Sequence, residues 1–200
     1  MATGSVESFK KNGYCKVKSG ISKEICDLVS QYALFDEIQD FHTDGCQVPN
    51  AHAKYADPLM ESILLKLLPK MELSTGLGLY PTYSFYRVYR NGDILSPHTD
   101  RPSCEISATL NFGFNSNNWP IFMNGKEIFL DQGEMAIYRG CDIEHWRQEL
   151  SADEDAWHVQ GFFHFVDKDG PFAKYIYDER SSIGALQNHF TNKKYIIKVL

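Results

Sequence analysis

Apolar positions along the chain follow two different spacings, and the change between them falls near residue 78. Before it, Gly13-Tyr14-Cys15-Lys16-Val17-Lys18 alternates as a strand does. Ser22 then stands as an N-cap before Lys23-Glu24 and a helical run through Ile25, Cys26, Leu28 and Val29 to about Ile38. Residues 40–57 carry His, Gly, Pro and Asn without a period and are expected to be a loop. From Pro58, the apolar residues Leu59, Ile63, Leu64, Leu67 and Leu68 recur at helical spacing, with Pro69 expected to bend or end that helix. After Gly78 the alternation has a period of two. It predicts strands at about 79–90, 94–98, 105–114, 120–123, 126–130, 134–138, 143–147 and 157–166, separated by Asn- and Gly-rich turns. Asn124-Gly125 between two such runs predicts a type I′ hairpin. Helices followed by many short strands indicate a mainly β protein with N-terminal helices, its sheets forming a barrel or a jelly roll.

Composition narrows this only a little. The chain has 200 residues, 43% of them hydrophobic and 14% aromatic, with a net charge of -6. That is enough chain for one domain to bury a core without covalent staples. The expected organisation is a single domain: a helical support over about 1–77, a β core over about 78–166 and a C-terminal extension over 167–200. No block of Lys and Arg is present, which argues against nucleic acid as a partner. The longest apolar run, Ile63 to Leu68, is short and contains Lys66, so no membrane association is expected. Five widely spaced cysteines, with no Cys-x-x-Cys pair and no signal-peptide pattern at the N-terminus, suggest reduced thiols and a soluble, cytoplasmic protein.

Candidate chemistry sits in the strand region. His98-Thr99-Asp100 follows an aromatic strand, and His145 comes 45 residues later. Two imidazoles and one carboxylate are the donor set of a facial Fe(II) site with open coordination positions. A second triplet, His42-Thr43-Asp44, has the same spelling but follows a helix and lies in a loop. Strands hold ligands more firmly than a helix end, so His98 and Asp100, placed in a short turn between two strands of a sheet, are the preferred pair. A jelly roll would bring that turn beside His145. His158 and His164 share one face of the last strand and one or both are expected to be structural, and Tyr83, Phe85, Phe112, Phe114, Phe163 and Phe165 are expected in the core.

Tyr89-x-Asn91-Gly92-x5-His98-x-Asp100, the distal His145 and the closing strand Trp157–Phe165 resemble the catalytic domain of 2-oxoglutarate- and Fe(II)-dependent oxygenases, within them the prolyl 4-hydroxylase-like branch. The resemblance covers residues 80–166. It implies a double-stranded β-helix, also described as a jelly-roll or cupin-like fold, with Fe(II) on His98, Asp100 and His145. It also implies 2-oxoglutarate and O2 as co-substrates, ascorbate as an accessory reductant, and hydroxylation of an unactivated C–H bond with release of succinate and CO2. The substrate would be a prolyl or other peptidyl residue of a peptide or protein, or else a free amino acid or other small molecule. A similar hydroxylase carries a Tyr at the position of Tyr89, lining the co-substrate or substrate pocket.

The chain departs from the pattern at one point. Members place Lys or Arg about nine to twelve residues after the distal His, where this chain has Glu154-Asp155-Ala156-Trp157. Phe112 stands where some relatives have a Tyr for the same carboxylate. The cation for 2-oxoglutarate is therefore expected from Arg147, which shares the face of His145 if the strand continues, then from Arg87, then from Arg101. Two other classes of function compete: a jelly-roll binding module without redox chemistry, and a cupin-type metalloenzyme that does not use 2-oxoglutarate.

Overall fold

The computed structural model describes residues 2–43 and 47–185. Helix α1 (Ala2–Asn12) leads into strand β1 (Tyr14–Val17), followed by α2 (Lys23–Gln39), β2 (His52–Tyr55) and α3 (Pro58–Thr75). Eight strands follow: β3 (Leu79–Arg90), β4 (Leu95–His98), β5 (Ile106–Phe114), β6 (Ile121–Met123), β7 (Lys126–Ile128), β8 (Met135–Arg139), β9 (His145–Arg147) and β10 (Trp157–Asp167). They form two antiparallel sheets, a six-stranded one in the order β1-β8-β5-β10-β3-β2 and a four-stranded one in the order β4-β9-β6-β7. This is the mainly β architecture with leading helices that the spacing predicts.

The larger sheet has two different faces. On the outer face Leu110, Phe112, Val159, Phe163 and Phe165 pack with Leu64, Leu67 and Met71 of α3 and Cys26, Val29 and Ala33 of α2. The inner face meets the smaller sheet and carries polar residues, Ser107, Thr109, Asn111, Gln160 and His164, all buried. A helix layer therefore seals one side while the space between the sheets is left for chemistry. Asn124 and Gly125 both have positive φ, 47° and 78°, as a type I′ turn requires, and join β6 to β7.

Several expectations change. Residues 40–57 are not wholly a loop, because β2 adds to β3 with His52 opposite Val88 and Tyr55 opposite Phe85. Four residues are too few to show a period, and a partner strand supplies the order. Pro69 does not end α3, which continues to Thr75 and closes on Gly76 at φ 73°. Met71, Ser74 and Thr75 are buried, so packing of the last turn outweighs the one hydrogen bond that proline removes. Helix α1 has no periodic signal in the sequence, since Phe9 is the one core residue among its described side chains. No helix among the described residues is long and apolar enough to cross a membrane. Cys15, Cys26, Cys104 and Cys141 are free thiols, and Cys46 lies outside the described residues.

Past β10 the chain runs as a strap against β3 and β10. Arg180 forks onto Glu61 of α3, with Nη2–Oε1 at 2.7 Å and Nη1–Oε2 at 3.1 Å, and also donates to the Thr82 carbonyl at 2.9 Å. Tyr177, Asp178 and Glu179 all have positive φ, a conformation side chains rarely adopt in succession. The ties of Arg180 and Asp178 hold them there. The expected extension beyond 185 lies outside the described residues.

Candidate metal centre and its cavity

His98 is the last residue of β4, and His145 the first of β9. The two are register partners in the smaller sheet, with ring centroids 4.2 Å apart. Asp100 follows two residues later in the turn that crosses to β5, so this turn joins strands of different sheets rather than of one sheet. The carboxylate is placed by the backbone: the Asp100 amide donates to the Gly140 carbonyl at 2.8 Å. A Cβ at Gly140 would lie 2.5 Å from Asp100 Oδ2 and 2.1 Å from the Cys104 carbonyl, so only glycine lets the β8–β9 connection approach this closely.

Both imidazoles are set in one tautomer. His98 Nδ1–H donates to the Ser96 carbonyl at 2.8 Å, and His145 Nδ1–H to the Ile143 carbonyl at 2.9 Å. That leaves each Nε2 with its lone pair, 3.8 Å and 3.7 Å from Asp100 Oδ1. Such backbone anchors are what orient metal-binding histidines. Burial pushes the His145 pKa down, Asp100 opposes this and His98 adds to it, so the ring is held neutral and able to donate. Together the three side chains offer ligand atoms within 4.8 Å of one another.

Of the second triplet, His42 lies apart from this centre. His42 is exposed and bonded to Asp40 at 2.9 Å, and Asp44 lies outside the described residues.

The three side chains open onto a cavity of about 550 Å³ between the sheets. Its walls include Tyr55, Tyr83, Phe85 and Phe162, with Arg87 and Arg101 as its cations. Tyr83, which is buried, and Phe85, which packs against a core cluster, also form cavity wall, because β3 turns this face to the space between the sheets. Phe112, Phe163 and Phe165 do belong to the core. Phe114 stacks on His158 with rings 9° from parallel.

The four candidate co-substrate residues are found in different settings. Arg101 lines the cavity, but its fork is taken by Asp178, with both bonds at 2.8 Å, and its guanidinium lies over the Tyr83 ring. Arg87 also lines the cavity, stacked over Phe85 and Phe162 and bonded to Tyr89 Oη and Gln47 Oε1. Tyr89 is fully buried one layer behind the wall, in edge contact with Trp119 at 5.0 Å. Arg147 lies in that same rear layer, 1% exposed on the face of β9 that carries His145, with its guanidinium over Trp119 at 4.6 Å.

Arg147 has an unusual environment. It donates to the Trp119 carbonyl and to Gln160 Oε1 at 3.2 Å, no carboxylate pairs with it among the described residues, and its Nε–H has no acceptor. Burial lowers its pKa to about 10, so it remains a cation at neutral pH. Gln160 Oε1 also accepts from His158 Nε2 at 2.8 Å, and Gln160 Nε2 donates to Thr109 Oγ1 at 2.6 Å. His158, expected from the sequence to be structural, stands on β10 thirteen residues after His145, close to where the resemblance leads one to expect Lys or Arg. Phe112 is turned to the core, so the inward positions of β5 are Thr109 and Asn111.

His158 and His164 are neutral in the fold. Burial pushes His158 down to about 3, with Arg147 adding to the effect, and His164 down to about 4. The unfolded chain protonates both near pH 6.5, so between that pH and the folded values it binds more protons than the native state. Stability of the metal-free protein should therefore fall as pH falls through this window, by about 1.4 kcal/mol per pH unit for each histidine. Urea unfolding between pH 4.5 and 6.5 measures the slope, and His158→Gln should remove one histidine's share. An unchanged slope would show that His158 is not buried in its neutral form.

No protein-family model and no curated protein sequence matches the chain. Solved structures do match in fold. The prolyl-4-hydroxylase of Pseudomonas putida superposes with a TM-score of 0.65 at 14% identity, covering 82% of this chain and 98% of its own. HygX from Streptomyces hygroscopicus, with nickel, 2-oxoglutarate and hygromycin B bound, gives 0.66 at 10% identity over 83% and 87%. A prolyl hydroxylase from Trichoplax adhaerens, in complex with a peptide fragment of the hypoxia inducible factor oxygen degradation domain, gives 0.63 at 12% identity over 82% and 88%. The chain thus has the double-stranded β-helix fold of the 2-oxoglutarate- and Fe(II)-dependent oxygenases.

Proposed function

We propose that the protein is an Fe(II)- and 2-oxoglutarate-dependent dioxygenase that hydroxylates an unactivated C–H bond, with His98, Asp100 and His145 as the metal ligands. The observation that carries this reading is the convergence of two Nε2 lone pairs and one carboxylate oxygen, with both Nδ1–H groups tied to backbone carbonyls. Nitrogen and oxygen donors on one side of a cavity fit Fe(II) with positions left for co-substrate and O2. When bound, the metal would activate O2 as the oxidant, two of the four electrons coming from 2-oxoglutarate, which leaves as succinate and CO2, and two from the substrate C–H bond.

The residues behind the centre fit a dicarboxylate. A fully buried cation without an anion is costly, and the acceptor-free Nε–H of Arg147 is a vacant donor in a dry layer. Arg147 would anchor the 5-carboxylate of 2-oxoglutarate, with Gln160 and the Trp119 carbonyl fixing its fork. Tyr89 packs beside it, and Arg87 and Arg101 belong to the cavity where the substrate enters. The aromatic walls Tyr55, Tyr83, Phe85 and Phe162 keep water from the reacting centre and suit a ring-bearing or aliphatic group. The favoured substrate is a prolyl or other peptidyl residue, a reading supported by the peptide complex among the structures of the same fold. The hygromycin B complex among them supports a small molecule as the alternative.

Anaerobic titration with Fe(II) and then 2-oxoglutarate should produce the weak visible charge-transfer band of the chelate. Metal binding without that band would favour the cupin-type reading, and no metal binding would favour the binding module. Arg147→Gln should raise the apparent KM for 2-oxoglutarate by roughly ten- to a hundredfold, about 1.4–2.7 kcal/mol, with Fe(II) affinity unchanged. A wild-type KM in that variant, together with loss of co-substrate binding in Arg87→Gln, would move the anchor to β3.

A further inference from the structure

We propose that Asp100, Cys104 and His164 form a second divalent-metal site, suited to a thiolate-accepting ion such as zinc, on the side of Asp100 away from His98 and His145. The three offer ligand atoms within 4.8 Å of one another, and all three line the same cavity, so an ion entering it can reach them. Asp100 faces two ways. Its Oδ1 is turned to the two Nε2 atoms, whereas Oδ2 is 3.1 Å from Ser107 Oγ, which in turn lies 2.9 Å from His164 Nδ1.

Local structure brings the sulfur in. A single 3-10 turn, Pro102–Cys104, folds the chain back after Asp100, and Cys104 Sγ is held 3.0 Å from Tyr83 Oη. His164 projects from β10, its ring centroid 4.5 Å from that of Tyr83. One oxygen, one sulfur and one imidazole nitrogen are a zinc set with a fourth position left to water. Bonds of about 2.0–2.3 Å need donors roughly 3.5 Å apart, so donors that lie within 4.8 Å of one another must draw together on binding. On binding, the metal–sulfur bond forms and the thiol proton leaves to solvent. The sulfur donor separates this site from the nitrogen and oxygen set of His98, Asp100 and His145, which suits Fe(II).

Cobalt(II) is the probe, because thiolate ligation gives it a strong near-ultraviolet charge-transfer band. Metal-free protein titrated with cobalt(II) should develop that band, and His98→Ala should keep it. Cys104→Ser should abolish it, and His164→Gln should weaken cobalt affinity on the order of tenfold or more. No band in the wild-type protein, or a band that survives Cys104→Ser, would overturn the proposal by leaving Cys104 as a packed thiol bonded to Tyr83. Should Cys104→Ser not fold, His164→Gln decides alone: unchanged cobalt affinity and band would also refute the site.

Discussion

Alanine at His98, Asp100 or His145 is expected to reduce Fe(II) binding to background and to abolish 2-oxoglutarate turnover, while His42→Ala leaves both at wild-type levels. In the proposed centre each of the three would supply one of only three protein bonds to the metal, and the one other group at either Nε2 among the described residues, the Tyr138 hydroxyl 3.4 Å from that of His145, could not replace a lost imidazole. Removing Asp100 costs more than a bond, since its charge offsets that of the cation between two neutral rings. His42 bonds to Asp40 on an exposed loop and touches none of this. Equilibrium dialysis with metal analysis reads the first effect and succinate release the second. Full Fe(II) occupancy in His145→Ala would show that the metal is held elsewhere, and loss of binding in His42→Ala would return the assignment to the other triplet.

The other large effect concerns stability. Arg180→Ala should lower the free energy of unfolding by about 3–5 kcal/mol, because it leaves the Glu61 carboxylate buried without its cation. The two side chains are 1% and 2% exposed, so solvent cannot make up the loss. Arg180 also holds the Thr82 and Ala185 carbonyls, and Glu61 accepts from the Gly184 amide, so the strap is released as well. For a chain of this size the Tm should drop on the order of 10 °C. The double replacement Glu61→Leu with Arg180→Met should recover much of it, because two apolar groups need no pairing. A fall below about 1 kcal/mol in Arg180→Ala would mean that the pair is hydrated in solution.

These two expectations lie at opposite ends of what could be read from the chain. The histidines and Asp100 are legible because their signal is local: a strand, a three-residue spelling and a strand-like return. A jelly roll, once inferred from turn signals, has few ways to arrange such pieces. The Glu61–Arg180 pair spans 119 residues and has no pattern of its own. In sequence both residues are ordinary surface charges, and only burial of that helix face under the strap makes them a pair.

The order of the elements other than α1 and β2, the Asn124-Gly125 hairpin and the facing of His98 and His145 were determined by the sequence itself, since period and turn chemistry act over a few residues. Tertiary structure decided the matters that depend on which surface each element is offered. Pro69 stays helical because Met71, Ser74 and Thr75 are buried, and His52–Tyr55 is a strand because β3 has a free edge beside it. Arg147 reaches the rear layer, over Trp119, and Arg87 the cavity, over Phe85 and Phe162, because the aromatic neighbours that each guanidinium covers are brought together only by packing. Tyr83 becomes wall while Phe163 becomes core for the same reason: alternation says that two sets of residues face opposite ways, and only the packing of helices on one face and a second sheet on the other says which is which.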